Sequence, residues 1–391
     1  VATISERVAS MVRMTMADMA DLADARADSF RLENADAIIP PAPHVLEATR
    51  AAVGDDRHNS YLPLRGLPEL RQAIAYRLRE DYGLSYDPDG EIVVTSGAGE
   101  AMLNCLLTFA DPGDRVVLTN PTYSGMAQRT RLAGAVQSFA DLDESRGWRL
   151  DGERFRAASR GARVVFYASP CMPTGTVFTR EETELIARTA VEEDAVLVYN
   201  GSLEKMLYDG NHVTHPATLP GMRERTVIVS SVSKNYNMMG WRIGWVAGPR
   251  ELVRPLEDVH IFNGIMPSGF AQAGAAAALS GPQEWLEEIV GAHERLRDAL
   301  LEAIRPIERL GAVKPEGGYF FLANIRELEV RSPELCRRLL EETGVAITPM
   351  VAWGADDFGY DHVRFIFTDE PEERLREAGA LVARFVERLA R

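Results

Sequence analysis

The sequence predicts an α/β protein with two parts, a large domain built on a seven-stranded, mostly parallel sheet and a smaller α+β domain beside it. Three observations carry that expectation. Strand-like runs recur from Glu91 onward, at Glu91–Thr95, Arg115–Thr119, Gly134–Phe139, Arg163–Tyr167, Ala195–Tyr199, Thr226–Ser230 and Ile243–Ala247. Most are separated by helical or loop stretches, the rhythm of a parallel sheet covered on both faces. Beyond Ser280 the rhythm changes, and 391 residues leave room for a second unit.

In chain order, Met11, Met14, Met16, Met19 and Leu22 fall at near-helical spacing and suggest an amphipathic helix or arm. Such a methionine stripe is more often packing than a ligand surface. Pro40, Pro41 and Pro43 break the chain before a helix expected from His44 to Val53, and Tyr61–Arg71 reads as a loop running into a helix with Pro68 in its first turn. The link from Ser230 to Ile243 contains Gly240 and no helical pattern, so the seventh strand is expected to return antiparallel. Ser280 and Gln283 read as a capping box opening a long helix with Leu286, Ile289, Val290, His293, Leu296, Leu300 and Ile304 on one face. His293 there is expected to be a satisfied packing residue. Short strands follow around Tyr319–Ala323, Val345–Ile347 and His362–Phe367, and a last helix is capped by Asp369 and Glu372, with Leu375, Ala378, Val382, Phe385 and Leu389 along one side. The domain boundaries read from this pattern are residues 1–43 for an N-terminal arm, 44–280 for the large domain and 281–391 for the small one.

Composition narrows the function classes. With 43 basic and 58 acidic side chains the net charge is −15, which argues against a nucleic-acid or anionic-membrane partner and leaves small polar substrates open. Cys105, Cys171 and Cys336 are few, far apart and without metal spacing, as in a reducing compartment. No apolar run approaches transmembrane length and the N-terminus lacks a signal pattern, so the cytoplasm is the expected location.

The unusual residues cluster after the strands, where an open α/β sheet binds its ligands. Ser231-Val-Ser-Lys-Asn follows the β-branched run Thr226–Ser230 and places Lys234 at a strand mouth. Half-burying an ammonium there is expensive, and the neutral amine it favours is a nucleophile for aldehydes. An isolated Ser-x-Ser-Lys would read as a surface loop. Here Arg242 follows eight residues on, Ser96-Gly-Ala-Gly-Glu leads from the first strand into a helix, and Asn120-Pro-Thr-Tyr123, Ser169-Pro-Cys-Met-Pro-Thr-Gly175 and Asn200-Gly-Ser-Leu-Glu…Tyr-Asp-Gly210 follow three others.

Together these motifs, from about Leu32 to the C-terminus, resemble the class I/II aminotransferases, pyridoxal 5′-phosphate (PLP) enzymes of fold type I. The resemblance implies an α-amino acid substrate and roles for named residues. Lys234 would form the Schiff base and shuttle the proton. Ala98, Gly99, Ser231 and Arg242 would hold the cofactor phosphate, Tyr123 would stack on the pyridine ring, and Arg364 would grip the substrate's α-carboxylate through a bidentate fork. Tyr61 would reach the phosphate in a neighbouring subunit, which implies a homodimer with shared sites. Three positions depart from the pattern. Met172 replaces an Asn and Leu203 a Tyr, both contacts to the phenolic oxygen, and Asn200 replaces the Asp that pairs with the pyridine nitrogen. Ala35 also stands where the N-terminal substrate loop usually has Gly. The resemblance makes transamination to a 2-oxo acid the default reaction. The departures raise a second reading, elimination, replacement, cyclisation or oxidation of an amino acid, and a third is a non-catalytic binding protein on the same fold.

Overall fold

The computed structural model describes residues 3–12 and 15–389. The chain first forms β1 (Phe30–Leu32), then β2 (Ile92–Thr95), β3 (Arg115–Asn120), β4 (Val136–Asp143), β5 (Arg149–Leu150), β6 (Ala162–Ala168), β7 (Val196–Asn200), β8 (Thr226–Ser231) and β9 (Gly244–Ala247), and finally β10 (Gly311–Ala312), β11 (Phe320–Asn324), β12 (Val345–Pro349) and β13 (His362–Ile366).

Strands β2 to β9 form one sheet in the order β2-β9-β8-β7-β6-β3-β4-β5. The run β4-β3-β6-β7-β8 is parallel, and β9 lies antiparallel between β2 and β8, as the Ser230–Ile243 link predicts. The expected count of seven needs correcting to eight. The extra strand is β5, two residues paired antiparallel to the end of β4, too short to show a sequence period. The linker before β9 also holds more structure than expected, a single helical turn Val232–Asn235 and a 3-10 turn Met239–Trp241. The sheet's interior strands are apolar on both faces. Every residue of β2, β8 and β9 is buried, and each buried Val or Ile in them contributes roughly 1.5–3 kcal/mol.

A second sheet, β1-β12-β13-β11-β10, has its own apolar core with Leu300, Ile304, Leu339, Val382 and Phe385. It contains the three predicted strands and adds two short edges, β1 parallel to β12 and β10 antiparallel to β11. The arm therefore reaches this sheet through β1.

Three helical expectations change. Of the predicted N-terminal stripe, Met16, Met19 and Leu22 fall on the helix Thr15–Asp24, Met11 lies in the non-helical stretch after the short helix Glu6–Ala9, and Met14 is outside the described residues; Met19 is buried, Met11 and Leu22 exposed. Ser280 is not a cap but the last residue of the helix Gly269–Ser280, its Oγ donating to Ala276 O at 2.6 Å. The long helix Glu284–Ile304 starts after Gln283 without a side-chain cap. His293 is buried on it as expected but is not satisfied, since neither ring nitrogen has a partner. Among the described residues no helix is long and apolar enough to cross a membrane.

Candidate active site

The carboxyl ends of the parallel strands put the predicted residues together. Ala98 and Gly99 open the helix Ala98–Phe109 behind Gly97, Tyr123 precedes the helix Ser124–Ala133, Asn200 ends β7, Ser231 ends β8, and Arg364 comes from the middle of β13. All of them, with Lys234 and Arg242, line one cavity of about 250 Å³. Tyr61 does not; it is 83% exposed, outside the cavity. Met172 lines it too, whereas Leu203 is buried in an apolar cluster with Met206, Tyr319 and Phe320.

Two glycines make room for the cavity's cations. A Cβ on Gly97, whose φ is +79°, would stand 2.6 Å from Arg242 Nη2, and one on Gly99 would stand 2.8 Å from Arg129 Nη2. A Cβ on Gly244 of β9 would meet Ala98 N at 2.5 Å, so that glycine lets the helix start approach the sheet. The first-turn N–H groups of a helix have no intrahelical acceptors and carry its positive dipole end, which suits a phosphate.

Lys234 sits on its single helical turn, with its carbonyl accepting a 2.7 Å hydrogen bond from Tyr319 Oη and its Nζ 5.3 Å over the Tyr319 ring. Its amine donates to Ala35 O. Burial, with Arg364 and Arg242 adding to it against the pull of Asp36, pushes its pKa down from 10.5 to about 8. Arg364 is buried as well, and burial pushes its pKa down to about 9. Its Nη2 donates to Glu33 O at 2.9 Å and Thr348 Oγ1 at 3.2 Å, while its Nε has no partner. The Glu33 carboxylate is taken by Arg31 at 2.7 Å. Carbonyls of one short segment, Glu33 and Ala35, thus hold the guanidinium and the amine side by side.

Among the described residues no Asp or Glu lines the cavity, although four cations, Arg129, Arg242, Lys234 and Arg364, do. Sequence reading missed Arg129, Ser202, Ser233 and Trp353. Ser202 and Ser233 flank predicted residues closely in the chain, but nothing in the local pattern singles out Trp353 or Arg129.

These residues fit PLP at three places: an amine of lowered pKa for the aldehyde, a glycine-cleared helix start with Ser231 and Arg242 for the phosphate, and Tyr123 for the ring. The ring nitrogen would find no carboxylate, only the amide of Asn200.

A family model described as aminotransferase class I and II matches residues 31–378. The chain is 34% identical over 349 residues to the aspartate/prephenate aminotransferase of Thermus thermophilus, covering 88% of each chain. It is 31% identical to the aspartate aminotransferase of Geobacillus stearothermophilus, over 80% of this chain and 81% of that one. Among solved structures it resembles the N-succinyldiaminopimelate aminotransferase of Mycobacterium tuberculosis, with a TM-score of 0.92, 31% identity and coverage of 98% and 99% of the two chains. The aspartate aminotransferase of Thermus thermophilus with maleate gives a TM-score of 0.89 at 32% identity, over 98% and 100%.

Proposed function

The chain belongs to the class I and II aminotransferases, PLP-dependent enzymes of fold type I, and from that premise we propose that it transaminates an acidic α-amino acid in a site shared between two copies of the chain. The observation that carries this reading is the pairing of Lys234 and Arg364 in a cavity without carboxylates. A low-pKa amine and a buried guanidinium with an unpartnered Nε face one ligand volume.

PLP, when bound, supplies the aldehyde that takes up the substrate's amino group and the ring that draws electrons from Cα. The remaining work falls to the chain. Arg364 would hold the substrate's α-carboxylate and so orient its Cα. Lys234 would be the base that takes the proton from that Cα and the acid that gives it back. Ala98 and Gly99 N–H, Ser231 and Arg242 would hold the cofactor phosphate, and Tyr123 would stack on its ring. Arg129, whose Nη2 lies against Gly99 and whose Nη1 donates to Gly125 O at 2.8 Å, adds a further positive charge beside the helix start that would hold the phosphate. The relatives named aspartate aminotransferase agree with an acidic substrate.

The reading of a dimer is supported by large exposed apolar side chains, Tyr61 at 83%, Phe262 at 91% and Ile265 at 48%. In this reading a second copy covers them, and the Tyr61 of each copy reaches the cofactor phosphate held by the other. Cys105, Cys171 and Cys336 are all buried free thiols, which supports a cytoplasmic location.

The test is the isolated half-reaction. The PLP form is mixed with L-aspartate, L-glutamate, L-alanine, L-phenylalanine or L-lysine, and conversion to the amine form is followed by absorbance with the keto acid quantified. The acidic pair should convert fastest. Equal or faster conversion of alanine or lysine would refute the substrate class, and ammonia release without keto acid would refute transamination.

A further inference from the structure

Asn200 is fixed at the end of β7, paired with Ala168 of β6 and Val229 of β8, and is 6% exposed. Its side-chain oxygen is fully engaged. Oδ1 accepts from Ser202 Oγ at 2.6 Å and from Ser202 N at 3.1 Å, which uses both lone pairs of an amide oxygen. What Asn200 has left to offer a ligand is its NH2 group, which can only donate.

We infer that this enzyme holds the pyridine nitrogen of its cofactor unprotonated, with Asn200 as donor to the ring nitrogen and Ser202 as the positioning residue that keeps the amide turned that way. The inference rests on the reading that Asn200 faces the ring nitrogen. A pyridinium N–H opposite an amide N–H would leave two donors and no acceptor in a buried place, with the full desolvation penalty of both unmet. Turning the amide over to present Oδ1 would break both bonds from Ser202. Among the described residues no carboxylate lines the cavity to replace it. The nearby buried Glu204 lies outside the cavity lining and accepts from Tyr199 Oη at 3.3 Å. The ring therefore withdraws electrons as a neutral pyridine, and more of the Cα acidification falls on Lys234 and on the phosphate and carboxylate grips.

The experiment loads the apoenzyme with PLP labelled with 15N in the ring and reads the nitrogen chemical shift, without substrate, for the wild type, Asn200→Asp and Ser202→Ala. The wild type is expected at the unprotonated pyridine position at neutral pH. Asn200→Asp is expected at the pyridinium position, and Ser202→Ala between the two, because Oδ1 then keeps only the bond from the main-chain N of residue 202 and the amide turns over more easily. A pyridinium shift in the wild type overturns the inference. An unprotonated wild-type shift that Asn200→Asp does not move overturns the reading beneath it, since the residue then does not face the nitrogen. A Ser202→Ala shift identical to wild type removes the positioning role.

Discussion

The guanidinium carbon of Arg364 lies 4.4 Å over the ring of Trp353, and Tyr123 meets the same indole edge-on at a centroid distance of 5.9 Å. One buried tryptophan therefore connects the side chain assigned to the substrate carboxylate with the one assigned to the cofactor ring. The loop carrying it is tied down beside Tyr123, since Thr122 N donates to Trp353 O at 2.8 Å.

Removing the guanidinium should raise KM for amino acid and keto acid together. A charge-assisted bidentate pair lost from a buried site costs about 2–5 kcal/mol, so Arg364→Gln is expected to lower kcat/KM by roughly 30- to 4000-fold. Trp353→Ala removes a cation–π contact of about 0.5–2 kcal/mol and should cost about 2- to 30-fold. Steady-state kinetics with a fixed keto acid checks both. Unchanged KM in Arg364→Gln would remove the residue from the substrate site.

The amine of Lys234 should become reactive within the physiological range. With its pKa pushed down to about 8 by burial, its neutral fraction in the apoenzyme is about a tenth at pH 7 and about half at pH 8. The rate of covalent PLP uptake, followed by stopped-flow absorbance, should climb roughly tenfold from pH 6 to 7 and level off above 8. A rate still rising tenfold per unit between pH 9 and 10 would mean an ordinary lysine.

Glu204 gives the chain a stability cost at alkaline pH. Burial, with Asp81 adding to it against Lys205 and Tyr199, raises its pKa from 4.5 to about 7. The folded form then keeps a proton that the unfolded chain releases, so stability falls as pH rises from about 4.5 through 7 and is lowest above that. The cost is on the order of 3 kcal/mol. Glu204→Gln should raise the melting temperature at pH 8 and leave it nearly unchanged at pH 5. The reverse pattern would show that Glu204 is charged in the fold.

Much of this was readable in the chain, and the exceptions share physical causes. The parallel strands announce themselves because burial on both faces demands β-branched runs such as Val227-Ile-Val229, and the reversal at β9 follows from a linker with Gly240 and no pattern for a crossover helix. The two-residue strands β5 and β10 have no period to read and exist only through their neighbours. Ser280 looked like a cap because Gln283 stands three residues on, but the helix before it simply runs on to that serine. In the site, Lys234, Arg242 and Asn200 sit in strand-end motifs, whereas Trp353 and Arg129 reach the cavity from a loop and a helix whose local sequences are ordinary. His293 shows the converse: its apolar face predicted burial correctly, but not that its nitrogens would lie partnerless beside Tyr319 at a ring distance of 4.9 Å.

If a second copy covers the exposed aromatic patch, Phe262→Asp should convert a dimer to a monomer in sedimentation velocity and weaken PLP retention with it, because the partner's Tyr61 would be withdrawn. Wild-type protein sedimenting as a monomer at micromolar concentration would refute the shared site.

The most direct test concerns the amine itself. The protein is incubated with PLP, reduced with borohydride, digested and mapped by mass spectrometry. One pyridoxyl-phosphate adduct is predicted, on the peptide containing Lys234, and absent from Lys234→Ala. An adduct on another lysine, such as Lys205 or Lys314, or no adduct at all, would contradict the account.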